Sequence, residues 1–446
     1  MGRSPPPLAA APETRATRPG ELLRATPPQP FPGRIGATRR RSFLFLSQVY
    51  VPDPAAVGQH MADAAEELAR RGHRVVVLTA DRGYDDPSLH YPARETLGGV
   101  EVRRIPATSF GKGSIGTRLL GGISFTLQAM LRSFAVRPLD AIVVSTAPPM
   151  ASVAAVVIGA LRRAPVKYWV MDLNPDQLVA LGIVSESSPV ARIFNRLNRM
   201  ILRRAADVVV LDRFMAERVN RKLDVSAKLT IIPPWPHEDH LENVEHRNNP
   251  FRARHGLENK LVFMYSGNHG PSNPITTMLA AAGRLHDLPD VIFLFVGGGV
   301  GKREVEAATG PTIRSLPYQP LQELKYSLSA ADVQLVTVGD GVVGIVHPSK
   351  VYGALAVGRP VLLLGPQRSH VAELIEQYQV GWRVAHGDVD GAERVLRQIA
   401  RTDPGELAAM GARARELVRN RLGKTALCGR FCDIMERGIT PPASGV

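Results

Sequence analysis

The run GIVHPSKVYGALAVGRPVLLLG, residues 344–365, places a hydroxyl and an ammonium at the first turn of a predicted helix. Pro348, Ser349 and Lys350 open that helix, and GRPVLLLG returns the chain to a buried strand. A lysine at a helix start works against the helix dipole. An anion there removes the conflict, because free backbone N–H groups, the Ser349 hydroxyl and the ammonium all point the same way. A diphosphate suits such a loop.

Other residues that could do chemistry also follow apolar runs. Gly58 comes after LSQVYVPDPAAV, just before a helical stretch, where a glycine lets an anion approach a helix start. Gly267 and Asn268 follow LVFMYS and offer a close backbone and an amide. His269, next to them, could donate to a phosphate, but taken alone reads as a solvated side chain. Gly298 belongs to the run GGGVGK, which keeps side chains clear of a ligand, and Lys302 after it reads as surface charge. Asp172 ends the strand VKYWVMDL, where a carboxylate can take a proton from a hydroxyl or cap a helix. Asp176 has the same two readings. Asp388-Val389-Asp390 resembles a metal-binding D-x-D, but its place before GAERVLRQIA is that of a helix cap.

The elements that must position these residues alternate. Seven apolar β-rich runs lie at 43–49, 73–80, 100–107, 140–147, 166–173, 207–212 and 229–234, with helical stretches between them. The proline-rich, polar segment 233–250 interrupts the pattern. It restarts with runs at 261–267, 291–298, 312–318, 333–338, 360–365 and 380–386. Continuous apolar runs are those of parallel strands covered on both faces. The chain is therefore α/β, with two Rossmann-like doubly wound domains facing across a cleft. The first is expected over 42–235, the second over 236–424, and a terminal helical segment over 425–446. No dinucleotide fingerprint sits between a strand and a helix, which counts against a dehydrogenase.

The 446 residues carry a net charge of +14. Residues 1–41 hold eight Arg, nine Pro and two Glu, and read as a disordered tail with a net charge of +6. The mildly basic remainder suits anionic small ligands or an anionic membrane surface, and no aromatic platform accompanies it as in a nucleic-acid binder. Cys428 and Cys432 are the only cysteines, too few for a zinc site or a disulfide framework, and they fit a reducing cytoplasm. No stretch has the charge-free apolar length of a membrane span, and the first residues lack a secretory core. The apolar helical runs 118–138 and 150–163 end in basic residues and suit either an α/β core or an anionic bilayer surface.

The motifs taken together resemble the retaining GT-B glycosyltransferases of family 4, and most of all the bacterial branch that builds capsule, O-antigen and colanic-acid-type polysaccharides. VMDLNPDQ, ADVVVLDRFMAERV, YSGNHG, FVGGGVGK and PSKVYGALAVGRPVL carry the resemblance, which extends from residue 43 to about 420. It implies an acceptor bound by the first domain and a nucleotide sugar bound by the second. Gly58, Gly267, Asn268, Gly298, Pro348, Ser349, Lys350 and Tyr352 would lie on the donor side, and Lys350 and Asp172 would serve catalysis. It implies retention by front-face attack, no metal, no other cofactor, and a final helix near 425–437 that crosses back to the first domain. The acceptor is expected to be a lipid-linked glycan, with the protein cytoplasmic and peripheral at the inner face of the plasma membrane. The chain departs from the family where two glutamates usually stand eight positions apart, the second on the nucleotide ribose: here the residues are Ile345 and Gly353. The basic pair usual after the first strand of the second domain is also absent. A non-catalytic GT-B scaffold and a nucleotide-sugar epimerase are the alternative readings.

Overall fold

The computed structural model describes residues 40–439, except 54, 84–85, 109–114, 149 and 238–242. Residues 1–39 of the expected tail, 238–242 of the expected linker and 440–446 of the terminal segment lie outside it.

The first sheet contains β1 (Ser42–Leu46), β2 (Arg74–Ala80), β3 (Arg94–Leu97), β4 (Val100–Ile105), β5 (Ala141–Ser145), β6 (Val166–Trp169), β7 (Asp207–Val210) and β8 (Leu229–Ile231). Its order is β3-β4-β2-β1-β5-β6-β7-β8. All neighbours are parallel except β3 and β4. The second sheet contains β9 (Leu261–Asn268), β10 (Val291–Gly298), β11 (Ile313–Leu316), β12 (Val333–Thr337), β13 (Val361–Leu364) and β14 (Gly381–Val384). It is parallel throughout, in the order β11-β10-β9-β12-β13-β14.

Every strand read from an apolar run is present. β3 is the one the pattern hides. Its sequence RETL is polar, it lies antiparallel at an edge, and its side chains alternate between exposed and half-buried. β1 and β5, at the centre, are buried at every position because helices cover both faces.

Three contacts tie the last helix, Lys424–Glu436, and the residue after it to the first domain. Arg71 pairs with Asp433 and Glu436, at 2.7 and 3.0 Å. Phe431 packs on Trp169 with ring centroids 4.1 Å apart. Lys167, buried in β6, donates to the carbonyl of Arg437 and to Asp207, both at 2.5 Å. One apolar core runs from the first sheet through Val336, Val338 and Tyr352 to Phe431, so the β12–β13 part of one face of the second sheet shares the first domain's interior, while its β9–β10 part packs on Phe251 and Leu257. A separate cluster around Phe263, Phe293, Leu396 and Ile399 covers the other face.

Candidate active site at the crevice of the second sheet

Strand order reverses between β9 and β12, so their following loops part and leave a crevice at the carboxyl ends. A cavity of about 250 Å³ opens there. Asn268 and Asn273 line it from the β9 side, and His347, Pro348, Ser349 and Lys350 from the β12 side. Gln177 and Leu181 of the first domain close it. The structure thus brings Asn268, Pro348, Ser349 and Lys350 together.

Lys350 begins the helix Lys350–Ala356 and lies across the end of β9. Gly267 makes this possible: at φ 135°, a Cβ on it would stand 2.3 Å from the lysine Cε. The Lys350 ammonium sits 5.3 Å from the centre of the Tyr265 ring. The Tyr265 hydroxyl donates to the Asn268 carbonyl at 2.7 Å and holds the loop. Burial pushes the Lys350 ammonium down to about 8, and no carboxylate pairs with it among the described residues. A desolvated cation without an anion, facing a polar cavity, is a place for an anionic ligand.

Asp172 follows β6 on the first-domain side. Its N–H donates to Thr146 Oγ1 at 3.2 Å, and the next N–H, of Leu173, donates to the Ile345 carbonyl at 2.9 Å. That bond joins the Asp172 loop to the loop carrying Lys350. Burial pushes the Asp172 carboxyl up to about 6, with His347 opposing the shift. It is a carboxyl poised to exchange a proton near neutral pH.

Several expected residues have other places. Gly58 is not ahead of its helix but within the first turn of Ala56–Arg70, where a Cβ would meet the Tyr50 backbone at 3.0 Å. It packs helix against loop and does not line the cavity. Tyr352 is buried; its hydroxyl meets His347 Nε2 at 2.7 Å and His370 Nε2 at 3.0 Å, so it braces the loop from below. Gly298 pairs with Asn268 in the β9–β10 ladder, and its carbonyl accepts from both the backbone N–H and Nδ1 of His269. His269 is buried, not solvated, because the loop folds inward onto β10. The Lys302 ammonium binds the Gly297 carbonyl at 3.0 Å. Ser349 is exposed and does not cap the helix. Asp176 pairs with Lys222 at 2.6 Å. Asp388 caps the helix Val389–Ala400 through the Gly391 N–H, and Asp390 pairs with Arg284. Ile345 and Gly353 are both buried.

Two polar assemblies were not legible in the sequence. Asp212 Oδ2 meets His347 Nδ1 at 2.7 Å, extending the Tyr352 and His370 contacts into one chain between the domains. Burial raises the Asp212 carboxyl, but the hydrogen bond and charge of His347 outweigh it and hold it at about 2. Asp63 takes Trp235 Nε1 at 2.8 Å and Lys424 Nζ at 2.7 Å, tying together both places where the chain crosses between domains. Partners 135 and more residues apart in sequence leave no local signal. Among the described residues, no group of three or more His, Cys, Asp or Glu is arranged to hold a metal.

Residues 55–235 match the glycosyl transferase 4-like domain. WbjE of Pseudomonas aeruginosa, named a probable glycosyltransferase, is 28% identical over 284 residues, covering 60% of this chain and 70% of its own. WcaI of Escherichia coli K12, named as a colanic acid biosynthesis glycosyl transferase, is 26% identical over 344 residues, covering 74% and 84%. Among solved structures, Anabaena HepE in complex with UDP-glucose superposes with a TM-score of 0.66 at 14% identity, covering 89% of this chain and 99% of that one. The fold is GT-B, and the chain is similar to glycosyltransferases, among them one named for colanic acid biosynthesis.

Proposed function

We propose that this glycosyltransferase moves a sugar from a nucleotide sugar to a hydroxyl of a lipid-linked glycan, with retention at the anomeric carbon and without a metal. The observation that carries the reading is the unpaired, desolvated ammonium of Lys350 over Gly267. As the bond from the anomeric carbon to the diphosphate oxygen breaks, negative charge grows on the β-phosphate. Lys350, Ser349 and nearby backbone N–H groups stabilise that charge. The acceptor oxygen bonds to the same face of the sugar, and its proton passes to the leaving diphosphate. Asp172, with its raised carboxyl, orients that hydroxyl. No covalent enzyme intermediate is required.

HepE, of the same fold, was solved with UDP-glucose, which supports a nucleotide-sugar donor. A lipid-linked acceptor would bring the reaction to the inner face of the plasma membrane. No helix among the described residues is long and apolar enough to cross it, so contact would be peripheral. A non-catalytic reading draws on Ile345 and Gly353, whose burial keeps both family glutamate positions away from a ligand.

Thermal melting against UDP-, GDP-, ADP- and dTDP-sugars tests the donor site. The expected result is stabilisation by one nucleotide series, lost in Lys350→Ala. A folded protein that no series stabilises would favour the non-catalytic reading.

A further inference from the structure

Three helices of the first domain, Ile115–Ser133, Ala151–Arg162 and Pro189–Arg204, form one layer in which the middle one packs against the other two. Together they contain no Asp or Glu. Their outer surface has two stripes. On the first helix and just beyond it, Leu120, Ile123, Leu127, Leu131 and Phe134 are exposed, Leu131 by 74%. Their spacing of three, four, four and three residues puts them on one helical face. The middle helix adds Val157 and Leu161, the latter 65% exposed. On the third helix, Arg192, Arg196, Arg199 and Arg203 are exposed, spaced four, three and four residues apart, again on one face. None of these four guanidinium groups has an ion-pair or hydrogen-bond partner among the described residues.

Exposed leucines at this density lose free energy to water unless something covers them. The exposed, unpaired arginine side chains on the third helix of the same layer favour an anionic cover. We propose that this three-helix face docks on the surface of an anionic lipid bilayer, leucines at the acyl boundary and arginines among the headgroups. A second copy of the chain fits less well, since a face without carboxylates would meet its own arginines. A nucleic acid would leave the leucine stripe uncovered. The docking rests on this surface and not on the sugar-transfer reading, and it is read out without turnover.

The test is flotation of the full chain with phosphatidylcholine vesicles, with and without phosphatidylglycerol. The expected result is binding only to the anionic vesicles, weakening with salt. Arg196→Gln with Arg199→Gln should lower partitioning about 30-fold, from ~1 kcal/mol per arginine. Leu127→Ser with Leu131→Ser should lower it similarly through lost apolar burial. Arg303→Gln, on the second domain, should change nothing. Absence of binding to anionic vesicles would overturn the proposal. So would binding that survives both double substitutions, since it would then lie elsewhere, as with the Arg-rich residues 1–41. A shift of dimer to monomer in either double variant, with vesicle binding intact, would instead make this face an interface between copies.

Discussion

Lys167 and Lys350 are both taken out of water, and burial lowers both ammonium groups. Lys167 has Asp207 and the Arg437 carbonyl at 2.5 Å, and Arg437 pairs with Asp207 in turn. Its charge is neutralised inside the protein, and the product is mechanical, a last helix pinned under the first sheet. Lys350 has a ring face, a glycine and an open cavity instead. Its charge is left for something outside the protein to neutralise. Burial therefore does not distinguish a structural lysine from a site lysine; the presence or absence of an internal anion does. Asp212 and Asp172 repeat the contrast with the sign reversed. Asp212, paired with His347, is held at about 2 despite burial, while burial lifts Asp172 to about 6.

The contrast can be broken by exchanging consequences. Lys350→Ala should lower turnover by about 100- to 1,000-fold, the cost of losing one preorganised charge donor, while its melting temperature stays level or rises. Lys167→Ala should do the opposite. It leaves Asp207 buried with Arg437 alone, so denaturant unfolding should report a loss of about 3 kcal/mol, with donor affinity in the folded protein unchanged. A stability loss in Lys350→Ala as large as in Lys167→Ala would end the distinction.

Gly267→Ala sharpens it. The added Cβ meets the Lys350 side chain and forces a strained backbone, so donor affinity by calorimetry should fall about 10-fold, for ~1–3 kcal/mol of strain.

The smallest effects are in pH. Lys350 is lowered from 10.5 to about 8 in the folded chain. Between those values the unfolded chain binds the extra proton, so Lys350 makes stability rise with pH across that window, and Lys350→Met should flatten it. Donor affinity runs the other way, falling above about 8 as the ammonium is lost, and Lys350→Arg should restore it there. Asp172 is raised from 3.8 to about 6. Its contribution to stability is full below 3.8 and is lost as pH rises through 6. Turnover should fall below about 6, and Asp172→Asn should remove that limb.

The sheets were readable because a strand covered on both faces has to be apolar along its length. VVVLTA, AIVVS and VLLL cannot be mistaken for loops. RETL escaped because one antiparallel partner at an edge makes no such demand. The crevice was half readable. A lysine at a helix start, against the dipole, marked the loop that lines the cavity. The motif around it could not separate Lys350, which lines the cavity, from Tyr352, whose hydroxyl lies buried between His347 and His370. Gly58 and Gly267 look alike in sequence, each a small residue between strand and helix. One gives way to a backbone, the other to the site lysine.

By itself, the sequence determined two α/β sheets in series, the strands that build them, and the polar loop over residues 344–350 that comes to line the crevice. These follow from periodicity and local backbone chemistry, which act over a few residues. Only the tertiary structure decided which buried charges find partners, which glycines are required, that Asp63 ties both domain crossings, and that exposed arginines and exposed leucines fall in one layer of packed helices. Those outcomes depend on groups brought together from distant parts of the chain, and desolvation and pairing are set by what surrounds a group in space.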